Sequence, residues 1–253
     1  HSIDNIKLLL NYNIGGIAGA LNLGVNEAIE MFSDCFIYLL DQDSIVENEF
    51  FEKQYLFARN NGRRVVAPKY FDINSHTFGN YTKLSKWRFE NIMGHKITQP
   101  VESTFAITSG TLIHSSIFME IGYFRNDYFI DHVDSEFCIR LHRSGYLILI
   151  NPDVVFKHAI GERVHRKFMG ISFKPNFHSP LRRYYSVRNG VLMVKQHFRF
   201  FPSVLLLIFV RISYEFMGIF LYEPFKMMKF KALLWGLCDG FTGKSGRCGR
   251  KFS

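Results

Sequence analysis

The sequence predicts an α/β fold: a central, mostly parallel sheet flanked by helices and followed by a helical C-terminal segment. Two patterns and one size argument lead there. Short apolar runs of strand length alternate with longer stretches of helical periodicity, the order that builds parallel sheets. One such run, FIYLL at 36–40, stops on the carboxylates Asp41 and Asp43, and α/β folds keep their sites outside the carboxyl ends of parallel strands. With 253 residues, 47% of them hydrophobic and 16% aromatic, the chain can bury a full core as one domain, or as one domain plus a tail.

Residues 6–11 (IKLLLN) read as a first strand. Asn13, Gly15 and Gly16 then turn the chain into a helix expected from Ile17 to Met31. Glycines at such a turn let backbone approach a nucleotide, and the helix N-terminus favours an anion; with Ala18, Gly19 and Ala20 they also suit plain close packing. The GGxxG spacing is not the dinucleotide fingerprint. After the acidic pair, Ser44 and Glu47 read as a capping box opening an amphipathic helix over 45–60, stopped by Asn60, Asn61 and Gly62. A strand is expected at 65–68. Residues 70–103 are polar and aromatic without a period, like the irregular insertions that build substrate mouths. TFAITSGTLI at 104–113 reads as a buried strand broken at Ser109 and Gly110, where glycine marks a bulge or a close backbone approach. A short helix over 115–121 ends at Gly122.

FIDHVDSEFCIRLHRSGY at 129–146 carries a helix expected from Asp134 to Ser144. Asp134 there is either an N-cap or a carboxylate placed to take a proton from a hydroxyl. Glu136 and Arg140 are four apart, as in a surface ion pair. Strands at 147–151 and 154–157, separated by a turn at Pro152-Asp153, end at His158, which suits a metal ligand or a structural imidazole. The basic stretch 162–180 reads as a lid over phosphates or a solvated loop. LRRYYSVRNG at 181–190 begins a helix whose Arg182, Arg183 and Arg188 offer planar donors matched to phosphate.

Charge is uneven: residues 1–60 hold 3 basic and 9 acidic side chains, and residues 161–200 hold 9 basic and 1 acidic, within a net +9. An acidic, cation-suited half facing a basic half fits an anionic small molecule. In 201–222 the charge-free run before Arg211 is roughly ten residues, short of the ~20 that a membrane span needs. An in-plane helix is therefore expected, with Lys226, Lys229, Lys231, Lys244, Arg247, Arg250 and Lys251 on anionic headgroups. The competing reading packs this segment against the domain or a second subunit, which leaves a homo-oligomer open. The organisation expected is a domain over 1–198 and a basic, amphipathic helical segment over 199–253. Cys35, Cys138, Cys238 and Cys248 show neither zinc-ligand nor disulfide spacing and read as reduced thiols of a cytosolic protein. No signal peptide is visible.

Six pieces, NYNIGGIAGALNLGVNEA, LLDQDS, ITSGTLI, FIDHVDSEFCIRLHRSGY, HAIG and LRRYYSVRN, occur in an order that resembles glycosyltransferase family 2, over roughly residues 6–190. The nearest likeness is to the bacterial rhamnosyltransferases that use dTDP-L-rhamnose to build O-antigen or other surface polysaccharide. The resemblance implies a GT-A fold with a Rossmann-like sheet, an inverting mechanism and a divalent metal, Mg²⁺ or Mn²⁺. It makes Asp134 the catalytic base and Asp41, Asp43 and His158 the metal site. Asn13, Gly16, Asn22, Asp41, Ser109, Gly110, Arg182 and Arg183 become donor-binding. The partners it implies are a nucleotide sugar and a lipid-linked saccharide, at the inner face of the bacterial plasma membrane, with no nucleic acid. Val133 stands where many members carry an acidic residue before the base. The family's first strand and helix, with a base-recognising aspartate, lie upstream of this start, so a truncated or inactive chain is also expected as an alternative. Others are a different donor (galactofuranose, glucose or an N-acetyl sugar), a metal-dependent nucleotidyltransferase or phosphatase, and a basic nucleic-acid module.

Overall fold

A computed structural model describes residues 6–42, 44–158, 166–168, 171–173 and 177–252, with the side chains of His158, 166–168 and 171–173 outside the description. The elements are α1 (Gly16–Phe32), β1 (Phe36–Tyr38), α2 (Phe50–Asn60), β2 (Val65–Asp72), β3 (Thr77–Phe78), β4 (Tyr81–Leu84), β5 (Phe89–Ile92), β6 (Val101–Ser103), β7 (Leu112–His114), α3 (Ser115–Ile121), α4 (Val133–Arg143), β8 (Ile148–His158), β9 (Arg166–Phe168), β10 (Ile171–Phe173), α5 (Pro180–His197), α6 (Ser203–Leu221) and α7 (Lys226–Thr242).

The class and the helical C-terminal region are those expected; the sheet is mixed rather than mostly parallel. Its order is β1-β7-β2-β8-β6, with β3 on β2. Among the described pairings only β2 and β8 run parallel. Because β7 is antiparallel to both β1 and β2, it separates two strands that point the same way. So β1, β2 and β8 still bring their carboxyl ends to one edge, where the site is built.

Several expected boundaries move. Residues 6–11 form no strand: Ile6, Leu8 and Leu10 are exposed, and no described strand pairs with them, so the alternation has nothing to pack on. The helix after the acidic pair, expected over 45–60, spans Phe50–Asn60. Ser44 instead meets the Ser109 hydroxyl and Glu47 pairs with Lys157, so both expected capping groups are used in tertiary contacts. Of the expected 104–113 strand only 112–113 is extended, as the start of β7 (Leu112–His114). Hydroxyls take its backbone: Ser103 Oγ donates to the Phe105 carbonyl and Thr111 Oγ1 to that of Ile107, a local competition with sheet pairing. The stretch read as irregular, 70–103, contains β3 to β6, strands too short for a visible period. The two strands expected around Pro152-Asp153 are one, β8, with a register shift opposite Pro68 and Lys69.

The core lies where α1, α3, α4 and α5 cover the sheet, through Ala18, Val25, Ile117, Phe118, Phe137, Ile139, Leu192 and Met193. α7 lies close along α5: a Cβ at Gly236 would sit 2.7 Å from the Tyr184 carbonyl oxygen, and one at Gly240 3.0 Å from that of Arg188. The C-terminal segment is thus closely packed on the helix before it. α6 is long and apolar enough to cross a membrane, with a mean hydropathy of 2.0 and 28% of its apolar window buried. Leu205, Leu206, Phe209, Val210, Phe216 and Phe220 are exposed on it. Of its charged pair, Glu215 is buried and bonded by Ser186 Oγ at 2.9 Å, while Arg211 is exposed.

Candidate active site

β1 carries the chain to Asp41, whose side chain is exposed at the strand end. The position is fixed by the loop before β7. The Gly110 amide donates to the Leu39 carbonyl at 2.7 Å, and the Asp41 amide donates to Ser109 Oγ at 2.9 Å. Ser109 is buried and also meets Ser44 Oγ at 3.0 Å. Gly110 sits at φ +81°, with the place of a Cβ 3.1 Å from Phe156 and Pro68, so a side chain there would be both crowded and strained. Ser109 and Gly110 hold the acidic turn in place rather than merely lining it. The Ile45 amide donates to the Lys157 carbonyl at 3.3 Å, which lays the chain after the acidic pair against the end of β8. Asp43 and the His158 side chain lie outside the described residues.

The same loop reaches the second candidate. Cys138 Sγ on α4 donates to the Ala106 carbonyl at 3.7 Å, one turn beyond Asp134. Ser109 lies three positions after Ala106, a reach of at most ~11 Å. One loop therefore ties the helix bearing Asp134 to the strand end bearing Asp41. Asp134 is partly buried at the start of α4, and Oδ1 accepts from the Ser135 amide at 2.7 Å and the Ser135 hydroxyl at 3.3 Å. Burial pushes its carboxyl above the usual carboxylate range, against the pull of Ser135 and of the Arg211 charge. A carboxylate with a raised pKa is a better proton acceptor.

The segment leading into Asp134 is strained and clamped. Phe129, Asp131 and His132 have φ of +64°, +61° and +58°, a conformation costing ~1–3 kcal/mol per residue unless the surroundings impose it. Asn189, fully buried on α5, imposes it: Nδ2 donates to the carbonyls of Tyr128, Ile130 and Asp131 at 2.8, 2.8 and 2.9 Å. Its Oδ1 accepts from Arg188, which also donates to the Tyr128 carbonyl at 3.2 Å. Upstream, Arg140 donates to the carbonyls of Ile121, Gly122 and Tyr123. Its ion pair with Glu136 at 2.9 Å is buried on the Glu136 side, not the surface pair expected. Arg140, Arg188 and Asn189 carried no site expectation of this kind; the RN of LRRYYSVRN was visible, but its acceptors are backbone carbonyls, which no side-chain pattern reveals.

The residues expected to bind donor divide. Asn13 is exposed in the turn before α1, with its carbonyl accepting from the Gly16 amide at 3.4 Å. Gly16 has a packing reason: a Cβ would lie 2.1 Å from the Phe129 carbonyl oxygen. Asn22 bonds the Phe124 carbonyl and amide at 2.7 and 2.9 Å and Asn126 at 2.8 Å, so its amide is consumed in holding α1 to that segment. Arg182 is exposed and pairs with Asp131 at 3.1 Å. Arg183 is 1% exposed, bound to Glu223 and 3.4 Å from Glu215, while Lys229 reaches Glu223 at 2.7 Å. That guanidinium joins α5 to α6 and α7 and does not face a diphosphate, which corrects the expectation drawn from its sequence position.

An exposed carboxylate at a strand end fits an oxygen-seeking divalent cation that keeps waters and substrate phosphates as its other ligands. No trio of metal-ligating side chains stands among the described residues. A recess of about 580 Å³ between β5 and the 96–102 segment contains none of the candidate residues.

Residues 36–238 match the family described as "Glycosyl transferase family group 2". The dTDP-rhamnosyl transferase RfbF of Shigella flexneri is 32% identical over 196 residues, 77% of this chain and 65% of that one. The chain thus spans just under two thirds of that relative's length. Among solved structures, the crystal structure of GalNAc-T7 with UDP, GalNAc and Mn²⁺ aligns at 16% identity and a TM-score of 0.48, covering 72% of this chain and 34% of its own. The family match takes in the strand-end acid, the clamped loop and the helix that bears Asp134, and by it the chain belongs to glycosyltransferase family 2.

Proposed function

We propose that the protein transfers a rhamnosyl group, with inversion, from dTDP-L-rhamnose to a lipid-linked saccharide in O-antigen or related surface-polysaccharide synthesis. The observation that carries this reading is the single loop that joins Asp41, through Ser109, to the helix of Asp134, through Ala106. The donor sugar rests on the similarity to a dTDP-rhamnosyl transferase.

Asp134 takes the proton of the acceptor hydroxyl as that oxygen attacks the anomeric carbon. The bond from that carbon to the diphosphate oxygen breaks, and the nucleoside diphosphate leaves with the electron pair. One carboxylate suffices, since no covalent sugar–enzyme intermediate forms. Asp41, Asp43 and His158 would hold Mg²⁺ or Mn²⁺, whose charge offsets that developing on the leaving diphosphate. Ser109 and Gly110 keep the acidic turn in register with the donor, and Arg182, the exposed arginine of the pair, has a planar guanidinium suited to its phosphates. The exposed apolar face of α6 and the exposed basic residues of α7 and the tail, Lys226 and Lys231 among them, suit peripheral attachment to the cytoplasmic leaflet, where a lipid-linked acceptor is reached; Lys229, expected to join them, is buried against Glu223.

The test is a donor panel. dTDP-rhamnose, UDP-galactofuranose, UDP-glucose and UDP-N-acetylglucosamine are each assayed for binding and metal-dependent hydrolysis. Preference for dTDP-rhamnose, lost in metal-free buffer, is expected; preference for another donor overturns the rhamnosyl assignment, and phosphoryl release without sugar release overturns transfer itself.

A further inference from the structure

Beside Asp134 a second recess, about 200 Å³, is lined by Thr82, Phe105, His132, Ser135, Ile208 and Arg211 among others. That is below the ~300–1,000 Å³ of pockets for drug-sized ligands, and suits one sugar ring. His132 is 4% exposed, lines this recess, and has neither ring nitrogen in a well-formed hydrogen bond, the Ser186 backbone making only a loose contact with it. A buried polar group satisfied so poorly is costly, and here it borders a space that a ligand can enter.

The geometry points to this recess as the acceptor-sugar subsite, with His132 hydrogen-bonding acceptor hydroxyls. This rests on the transfer reading above. Its place is the first argument. Phe105 lines the recess, and four residues further along the same loop Ser109 holds Asp41, a span of at most ~14 Å. Donor-side and acceptor-side groups thus sit at the two ends of one loop, and Asp134 adjoins the acceptor end through Ser135.

The lining is the second argument. An imidazole kept neutral by burial and by the Arg211 charge offers one donor and one acceptor, which matches sugar hydroxyls rather than an anion. Arg211 already has a carboxylate, Glu215, at 3.4 Å. Phe105 and Ile208 supply the apolar surface that a sugar's C–H face covers. The third argument is access: Ile208 and Arg211 belong to α6, the helix with the exposed apolar face, so a sugar at the recess has its lipid on the side where that face meets a membrane.

The experiment uses full-length protein labelled with ¹⁵N-histidine and titrated with methyl α-L-rhamnoside, methyl β-D-glucoside and methyl N-acetyl-β-D-glucosaminide, with inorganic diphosphate as the anion control. At least one glycoside should shift the His132 ring nitrogens saturably, and diphosphate should not. His132→Phe should weaken that glycoside about tenfold, the loss of roughly one hydrogen bond, with dTDP-rhamnose binding unchanged within about twofold and affinity recovered in part by His132→Gln. A shift only with diphosphate, no shift with any glycoside, or wild-type affinity in His132→Phe overturns the assignment. Donor binding is read separately, so failure of dTDP-rhamnose to bind the wild type would count against the transfer reading and leave the glycoside result standing.

Discussion

Asn189→Ala is the most informative perturbation of the clamp. The two amide protons of Asn189 serve three carbonyls at 2.8, 2.8 and 2.9 Å, equivalent to about two bonds of ~0.5–1.5 kcal/mol each. Its Oδ1 accepts from Arg188 Nε at 3.0 Å and Nη2 at 2.8 Å, a contact to a charged group worth ~1.5–3 kcal/mol. Truncation should therefore cost about 3–5 kcal/mol, a large part of the ~5–15 kcal/mol that holds a domain folded. Freed of the clamp, Phe129, Asp131 and His132 relax from positive φ and carry Asp134 with them; a displacement near ~1 Å can cost ~10²-fold in rate. Urea unfolding at low temperature gives the first quantity, and single-turnover transfer with a donor-binding titration gives the second. Expected are a destabilisation of that size, a fall in kcat of about a hundredfold and an unchanged donor Kd. A variant within ~1 kcal/mol of wild type that transfers at the normal rate would refute the reasoning.

Asp134→Asn should abolish transfer, keep donor binding, and leave the protein as stable at pH 7 or more so. The folded pKa is raised by burial, so folding binds the proton more tightly; the ionised group costs stability once pH passes its unfolded pKa near ~3.9 and costs it fully above the folded value. For the same reason the acid limb of activity lies above the ordinary carboxylate range, and a thermal scan showing the variant clearly less stable than wild type contradicts this. Gly16→Ala places a Cβ 2.1 Å from the Phe129 carbonyl oxygen at φ +63°, and a marked drop in Tm should follow; an unchanged Tm would mean that α1 does not seat on that carbonyl. Asp239, held at about 2 chiefly by Arg250, with Tyr184 and Lys244, stabilises the C-terminal tail above its unfolded pKa and loses that effect as pH falls towards 2. Asp239→Asn should speed proteolysis in 244–251 at neutral pH, and wild-type resistance would remove the pairing from that role. Phe209→Glu, at a 65% exposed position on α6, should reduce flotation with anionic vesicles; equal flotation would count against peripheral attachment through this face.

Legibility in the sequence followed the range of the interaction. The α3 boundaries, Ser115 and Ile121, and the α1 and α4 spans were readable because glycine turns and helical spacing act within a few residues. The capping box at Ser44 and Glu47 was misread because both groups are satisfied far along the chain, by Ser109 and Lys157. The strand expected at 6–11 was misread because alternation states only that one face can be buried; whether anything covers it is a tertiary matter.

The same division separates the candidate residues. Residue type and order by themselves determined the α/β class, a strand leading to Asp41 (though β1 itself stops at Tyr38), the helix starting near Asp134 and the family likeness, since each is a local pattern. Only the tertiary structure decided that Arg183 is sealed among Glu215, Glu223 and Lys229, that Asn22 is consumed by Phe124, and that Asn189 holds the loop before Asp134. A side chain's type states what it can bond. Which groups compete for it, and whether water is among them, depends on what the fold places against it.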